Sequence, residues 1–236
     1  MPATELVLPV GDVLQVTSRE RIVTLDLGGR PFPFVAGQAV ELGTTDQPER
    51  RPYSIACSPG QTRRSGALEF LIQFDHDTGV SPHLLNLVPG RLIGAGTAVG
   101  AFTWPPHPQE CHVLFIAGGT GIAPIRSMIT HAIEEGYDGR LVLVHRARDE
   151  RDLAFADQFA GWADAGRITL RTLVTRGEIS SPAHWRGRLD RRRLATLVTD
   201  PETLCYLCGP ASLLVEIPAM LVELRVERSR IRLESW

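Results

Sequence analysis

Along the first hundred residues the apolar positions come in short alternating runs, cut by glycine, proline and polar turns. Residues 13–16, 21–27, 39–43, 51–57 and 67–74 each carry this strand-like pattern. A period of two with one apolar face predicts an antiparallel barrel or sandwich. One helical stretch at 81–88 interrupts the strands, and residues 98–102 return to extended chain. The run WPPHP at 104–108 then breaks the pattern as a linker.

Beyond residue 110 the character changes. Apolar runs at 112–118, 140–146, 168–175 and 204–209 alternate with helical patterns at 122–136, 153–166, 189–198 and 215–225. Such alternation predicts βαβ units on a parallel sheet. The expected organisation is therefore an antiparallel domain over 1–104, a linker over 105–109 and a doubly wound α/β domain over 110–236, with no internal repeat. A chain of 236 residues is long enough for two packed cores.

Composition narrows the chemistry. The formal charge of -2 supplies no concentrated basic field, which argues against nucleic acid as a partner. All 25 basic residues are arginine, so lysine Schiff-base chemistry and the phosphate-gripping lysine of a P-loop are excluded. Any phosphate is held by arginine, hydroxyl or backbone N–H groups. The four cysteines, Cys57, Cys111, Cys205 and Cys208, lie in apolar, strand-like surroundings. Neither a signal segment nor a spanning apolar run accompanies them, so a reducing cytoplasm, away from the membrane, is the expected setting. Cys205 and Cys208 are spaced as C-x-x-C, with no second pair to complete a zinc site. No metal is expected, and a redox dithiol is the alternative reading.

Two stretches carry candidate chemistry. The run GGTGIAP at 118–124 follows a strand and opens a helix whose apolar face carries Ile125, Met128, Ile129 and Ala132. A glycine turn in that context exposes backbone N–H groups, here at Gly119, Thr120 and Gly121, to an anion such as pyrophosphate. An ordinary tight turn is the alternative, and the spacing is not G-x-G-x-x-G. The second stretch is RPYS at 51–54: Arg51 could clamp a phosphate, Tyr53 could cover a ring and Ser54 could hydrogen-bond a flat ligand. The same four residues also read as an edge strand with a solvated arginine and a buried tyrosine.

RPYS, GGTGIAP and the CGP at 208–210, in this order and with these separations, resemble the ferredoxin-NADP reductase family over nearly the whole chain. The resemblance implies a flavin-binding antiparallel β-barrel followed by a nicotinamide-binding α/β domain, with hydride passing between nicotinamide and flavin N5. It implies that Arg51, with Pro52 in the same motif, holds the flavin phosphates, that Tyr53 packs on the ring or ribityl chain, and that Ser54 reaches toward N5. The turn at Gly79, Val80 and Ser81 would meet flavin phosphate, with Thr78 standing where the family commonly has glycine. Thr97 and Ala98 likewise replace a usual Gly-Pro. Cys208, followed by Gly209 and Pro210, would form a packing wall beside the nicotinamide C4. By the same match Glu234 is a hydrogen-bond or proton-relay partner of Ser54 and Cys208, and Trp236 stacks on the isoalloxazine where nicotinamide must bind.

Arg146, Thr175 and Arg176 would meet a 2′-phosphate, which favours NADP, with NAD as the alternative. FAD is expected over FMN, with Phe74 and His76 as candidates for stacking on adenine. The activity implied is an FAD-dependent NAD(P)H oxidoreductase that hands electrons to an external carrier such as a ferredoxin, a flavodoxin or an oxygenase component. Two other readings compete. An electron-transfer subunit of a larger complex would carry a C-terminal cysteine cluster, yet no cysteine follows Cys208. A nucleotide-sensing module need not keep Arg51, Ser54 and Cys208 together.

Overall fold

A computed structural model describes residues 6–46, 49–74, 84, 86–177, 179 and 184–235. Two compact units result: residues 1–104 group with 126–135, and residues 105–125 group with 136–236.

The first unit is built on strands β1 (Leu6–Gln15), β2 (Glu20–Asp26), β3 (Ala39–Thr44), β4 (Arg51–Ser54), β5 (Ala67–Gln73) and β6 (Leu92–Val99). They form one antiparallel sheet in the order β4-β3-β6-β1-β2-β5. The sheet curls, and Ile55, just past β4, makes an isolated antiparallel bridge to Phe70 of β5. The result is barrel-like without a closed ladder. Leu8, Val23, Leu25, Val40, Phe70 and Ile93 fill its interior.

Three features of this unit depart from the sequence pattern. β1 starts at Leu6 rather than 13, because a register shift between Val10 and Val13 breaks its alternation. β6 starts at Leu92 rather than 98, its pattern diluted by Gly94 and Gly96. A helix, α1 (Pro59–Ser65), stands where only a turn is expected. It has no apolar stripe, and it is fixed by its ends. Ser58 and Gln61 form a capping box, Pro59 occupies the first turn, and Gly66 closes the helix at φ 70°. The helical stretch expected at 81–88 falls mostly outside the described residues.

In the second unit the strands are β7 (His112–Gly118), β8 (Arg140–Ala147), β9 (Thr169–Val174), β10 (Trp185–Arg186), β11 (Leu204–Cys208) and β12 (Ile231–Glu234). All pair in parallel, in the order β10-β9-β8-β7-β11-β12. Its helices are α3 (Ala156–Asp164), α4 (Arg191–Leu197) and α5 (Ala211–Glu223), while α2 (Ile122–Glu134) begins here but groups with the first unit from Arg126 onward. α5 begins four residues earlier than the apolar pattern suggests, directly after Pro210, and tolerates Pro218 inside it. Every residue of β7 is buried, which is why it reads as an unbroken apolar run.

Alternate residues of the sheet serve opposite faces. Leu114, Val144, Leu173 and Cys205 pack with Leu194 of α4 and Ile217 of α5. On the other face the His145 ring meets Phe159 of α3 edge-on at 5.6 Å, and Phe115 stacks on Tyr206. Helices thus cover both faces, as in a doubly wound fold. Among the described residues no helix is long and apolar enough to cross a membrane.

Burial holds His145 neutral, with its pKa pushed down to about 3. Between that value and the ordinary value near 6.5 the unfolded chain carries a proton that the folded chain does not. Stability therefore falls as pH drops from 6.5 toward 3, by up to about 1.4 kcal/mol per pH unit from this residue. Chemical unfolding across that window should show His145→Gln with about one proton less of pH dependence than the parent protein. Identical pH slopes would show that His145 takes up its proton without unfolding.

Candidate functional site

RPYS forms β4, the edge strand of the first sheet, paired on one side with β3. An edge is where proline is tolerated in a sheet, because Pro52 has no N–H to donate. Arg51 and Tyr53 share one side of the strand and Pro52 and Ser54 the other. Tyr53 packs partly buried against the barrel core, while Pro52 is exposed. Arg51 is bound by Glu49, whose Oε1 accepts from Nε and NH2 at 2.8 Å each. The two side chains are 41% and 45% exposed. A surface pair of this kind is worth about 0–1 kcal/mol, whereas charged hydrogen bonds to a phosphate contribute roughly 1.5–3 kcal/mol each. A phosphate can therefore take Arg51 from Glu49.

Immediately after β4 the chain is fastened from α2. Arg126 donates to the Ala56 carbonyl at 2.8 Å and to Glu69 at 2.6 Å, and the Ser127 hydroxyl donates to the Cys57 carbonyl at 2.7 Å. Of the adenine-stacking candidates, Phe74 has the Arg21 guanidinium over its ring at 4.3 Å, so that face is already covered. His76, Gly79, Val80 and Ser81 lie outside the described residues.

The strand order of the second unit reverses between β7 and β11, and doubly wound sheets take ligands at such a point, outside the carboxyl ends of the strands. β7 ends in Gly118 and passes through a 3-10 turn, Gly119–Gly121, into α2. Gly119 sits at φ 58°, a left-handed conformation that glycine adopts without strain. Gly121 is needed for a different reason: a Cβ there would come within 2.4 Å of the Cys208 carbonyl oxygen. The two turns pack backbone to backbone. Thr120, between them, is half-buried.

β11 ends in Cys208, level with Ala117 of β7 on one side and Glu234 of β12 on the other. The buried Cys208 thiol lies 3.9 Å from the Glu234 carboxylate. Gly209 and Pro210 then lead into α5. Cys205, three residues before Cys208 on the strand, faces the opposite side of the sheet. Burial pushes its thiol up to about 12. The C-x-x-C pair therefore cannot act as a dithiol, and no metal-binding cluster occurs among the described residues. Trp236 lies outside the described residues.

Arg146 is the penultimate residue of β8, while Thr175 and Arg176 follow β9 directly. The Thr175 hydroxyl donates to the Ala147 carbonyl at 3.2 Å, and the exposed Arg176 is held through its backbone N–H to Arg148 O. Arg146 lines a cleft with Val144, Leu173, Leu213, Arg188 and Glu216. Burial lowers the pKa of its guanidinium, an effect opposed by Glu216 and reinforced by Arg188. Among the described residues the Arg146 side chain has no ion pair or hydrogen bond of its own, although its backbone pairs within the sheet. A half-buried cation without a partner fits an anionic ligand. Sequence reasoning missed Arg188 and Glu216: β10 is only two residues long, too short to show a period that would place Arg188.

Comparison with known proteins agrees with this architecture. The family model described as "Oxidoreductase NAD-binding domain" matches residues 115–217. Ferredoxin--NADP reductase B of Sorangium cellulosum is 30% identical over 88% of this chain and 87% of its own. A cytochrome P450 reductase of Amycolatopsis superposes with a TM-score of 0.86 at 24% identity, over 99% of this chain and 70% of that one. A ferredoxin NADP+ reductase of Neisseria gonorrhoeae, solved with FAD and NADP bound, gives 0.82 at 20% identity over 99% of both chains. The chain belongs to the ferredoxin-NADP reductase family of oxidoreductases.

Proposed function

We propose that the protein is an FAD-dependent NAD(P)H oxidoreductase that takes hydride from the nicotinamide and passes electrons singly or in pairs to an external carrier. The observation that carries this reading is the meeting of the Gly119–Gly121 turn, Cys208 and Glu234 at the switch point of the parallel sheet. FAD, when bound, supplies the hydride-accepting ring and the change from two-electron to one-electron chemistry. The chain's own residues bind, orient and shield.

In this reading residues 1–104 form the flavin domain and 110–236 the nicotinamide domain. Arg51 neutralises flavin phosphate, Tyr53 covers the cofactor beside the barrel core, and Ser54 offers a hydroxyl to its ring. Backbone N–H groups of the Gly119–Gly121 turn receive the nucleotide pyrophosphate. Cys208 gives the nicotinamide a polarizable wall, and Glu234 holds a proton beside that thiol. Arg146, Thr175 and Arg176 present the cations and hydroxyl that favour NADPH over NADH.

Anaerobic mixing of the purified flavoprotein with NADPH and with NADH tests the whole reading. Bleaching of the flavin bands by either nucleotide is the expected result, and chromatography of the released cofactor should give FAD. A protein without flavin affinity would overturn it. Arg51→Ala should bind FAD roughly 10- to 100-fold more weakly, the equivalent of one lost charge-assisted hydrogen bond, and should be purified largely colourless. Full flavin occupancy in that variant would remove Arg51 from the phosphate role.

A further inference from the structure

Three neighbouring parallel strands each deliver an arginine to their carboxyl ends. Arg146 is the penultimate residue of β8, Arg176 follows β9, and Arg188 lies two residues past β10. Arg146 and Arg188 line the cleft, and against them it sets one acid, Glu216, on the first turns of α5. Glu216 Oε1 lies 3.4 Å from Arg188 NH1, and the two side chains are 44% and 80% exposed. Asp149, another acid near these strand ends, accepts from both the side-chain and the backbone N–H of Arg151. The cleft wall is otherwise apolar, formed by Ile116, Val144, Leu173, Leu213 and Ile217.

We infer that Glu216 is a specificity-determining residue, holding Arg188 in place of a phosphate and so setting how strongly the protein prefers phosphorylated over unphosphorylated nicotinamide nucleotides. This rests on the nucleotide reading proposed above and assigns a new residue to it. A 2′-phosphate carries close to two negative charges near neutral pH and competes with Glu216 for the same guanidinium. Once bound beside Arg146 and Arg188, it also faces Glu216 as a like charge. A 2′-hydroxyl meets neither penalty, and it can donate a hydrogen bond to a carboxylate. The arginines therefore pull toward NADPH and Glu216 pulls toward NADH. The exposed ion pair is weak enough to exchange rather than block.

The test uses 2′,5′-ADP and 5′-ADP as probes, titrated calorimetrically into the flavin-loaded protein at low ionic strength. Glu216→Gln should bind 2′,5′-ADP about tenfold more tightly and leave 5′-ADP within about twofold, the size of one charged interaction. Arg188→Ala should weaken 2′,5′-ADP about tenfold while sparing 5′-ADP. Glu223→Gln serves as the control, because Glu223, on the same helix as Glu216, pairs with Arg191 of α4 at 3.3 Å and does not line the cleft. It should change neither affinity. Raising the salt should shrink the Glu216→Gln difference, as expected for an exposed charge. Equal shifts for both probes in Glu216→Gln, or none, would overturn the role of Glu216 while leaving nucleotide binding intact. Failure of the parent protein to bind either probe would overturn both.

Discussion

Gly121→Ala should lose nicotinamide-nucleotide binding by at least about tenfold while keeping its flavin, because the substitution forces apart the two turns at the switch point. The new Cβ would stand 2.4 Å from the Cys208 carbonyl oxygen, 2.6 Å from its carbon and 2.9 Å from the Gly209 nitrogen. These are backbone atoms at the end of a fully buried strand, and no side-chain rotation can relieve the clash. Overpacking of this kind costs typically 1–3 kcal/mol, and here it moves the N–H groups that would receive pyrophosphate and the thiol beside Glu234. A control is available in Gly161 of α3, where an added Cβ has nothing within 4 Å. Gly161→Ala should instead gain roughly 0.5–1 kcal/mol from helix propensity. Calorimetric titration with NADP+ beside a flavin-to-protein absorbance ratio reads both effects. Normal nucleotide affinity in Gly121→Ala would mean that the Cys208 turn yields without disturbing the site.

The parallel sheet was legible because its central strands are buried on both faces and read as continuous apolar runs, β7 most clearly. The glycine turn and Cys208 were legible for a related reason: each is the last word of such a run, so finding the strand also finds the residue at its end. Where burial did not impose a period, the pattern was silent. α1 buries little beyond Gly60 and Thr62, and its only signal was the Ser58–Gln61 capping box. β1 hid its first half behind a register shift, and β10 is a two-residue strand. Long-range polar partners are invisible in principle. Arg188 and Glu216 are 28 residues apart, and Arg126 is 57 residues from Glu69 and 70 from Ala56. Even a neighbour escaped: Glu49 lies two residues from Arg51, yet only the folded chain shows it neutralising the cation assigned to phosphate.

Arg126→Met should be strongly destabilising. Its guanidinium side chain is 7% exposed, and its partner Glu69, at 2.6 Å, is 25% exposed. Removing one member of a buried pair leaves the other charge uncompensated and costs about 3–5 kcal/mol, far more than the pair contributes net. The Ala56 carbonyl also loses its donor, although a thioether side chain of similar length keeps most of the packing. At roughly 2–4 °C per kcal/mol for a chain of this size, the melting transition of the first unit should fall by about 6–20 °C. The double variant Arg126→Met with Glu69→Met separates charge from packing. With neither charge present, no buried charge is left uncompensated, and most of the lost stability should return. Flavin affinity should follow the same order, weak in the single variant and recovered in the double. The reason is that Ala56 lies two residues beyond Ser54, and its carbonyl anchor helps fix the end of β4. A double variant as unstable as the single one would show that the Arg126 hydrogen bond to Ala56, not the ion pair with Glu69, holds this segment.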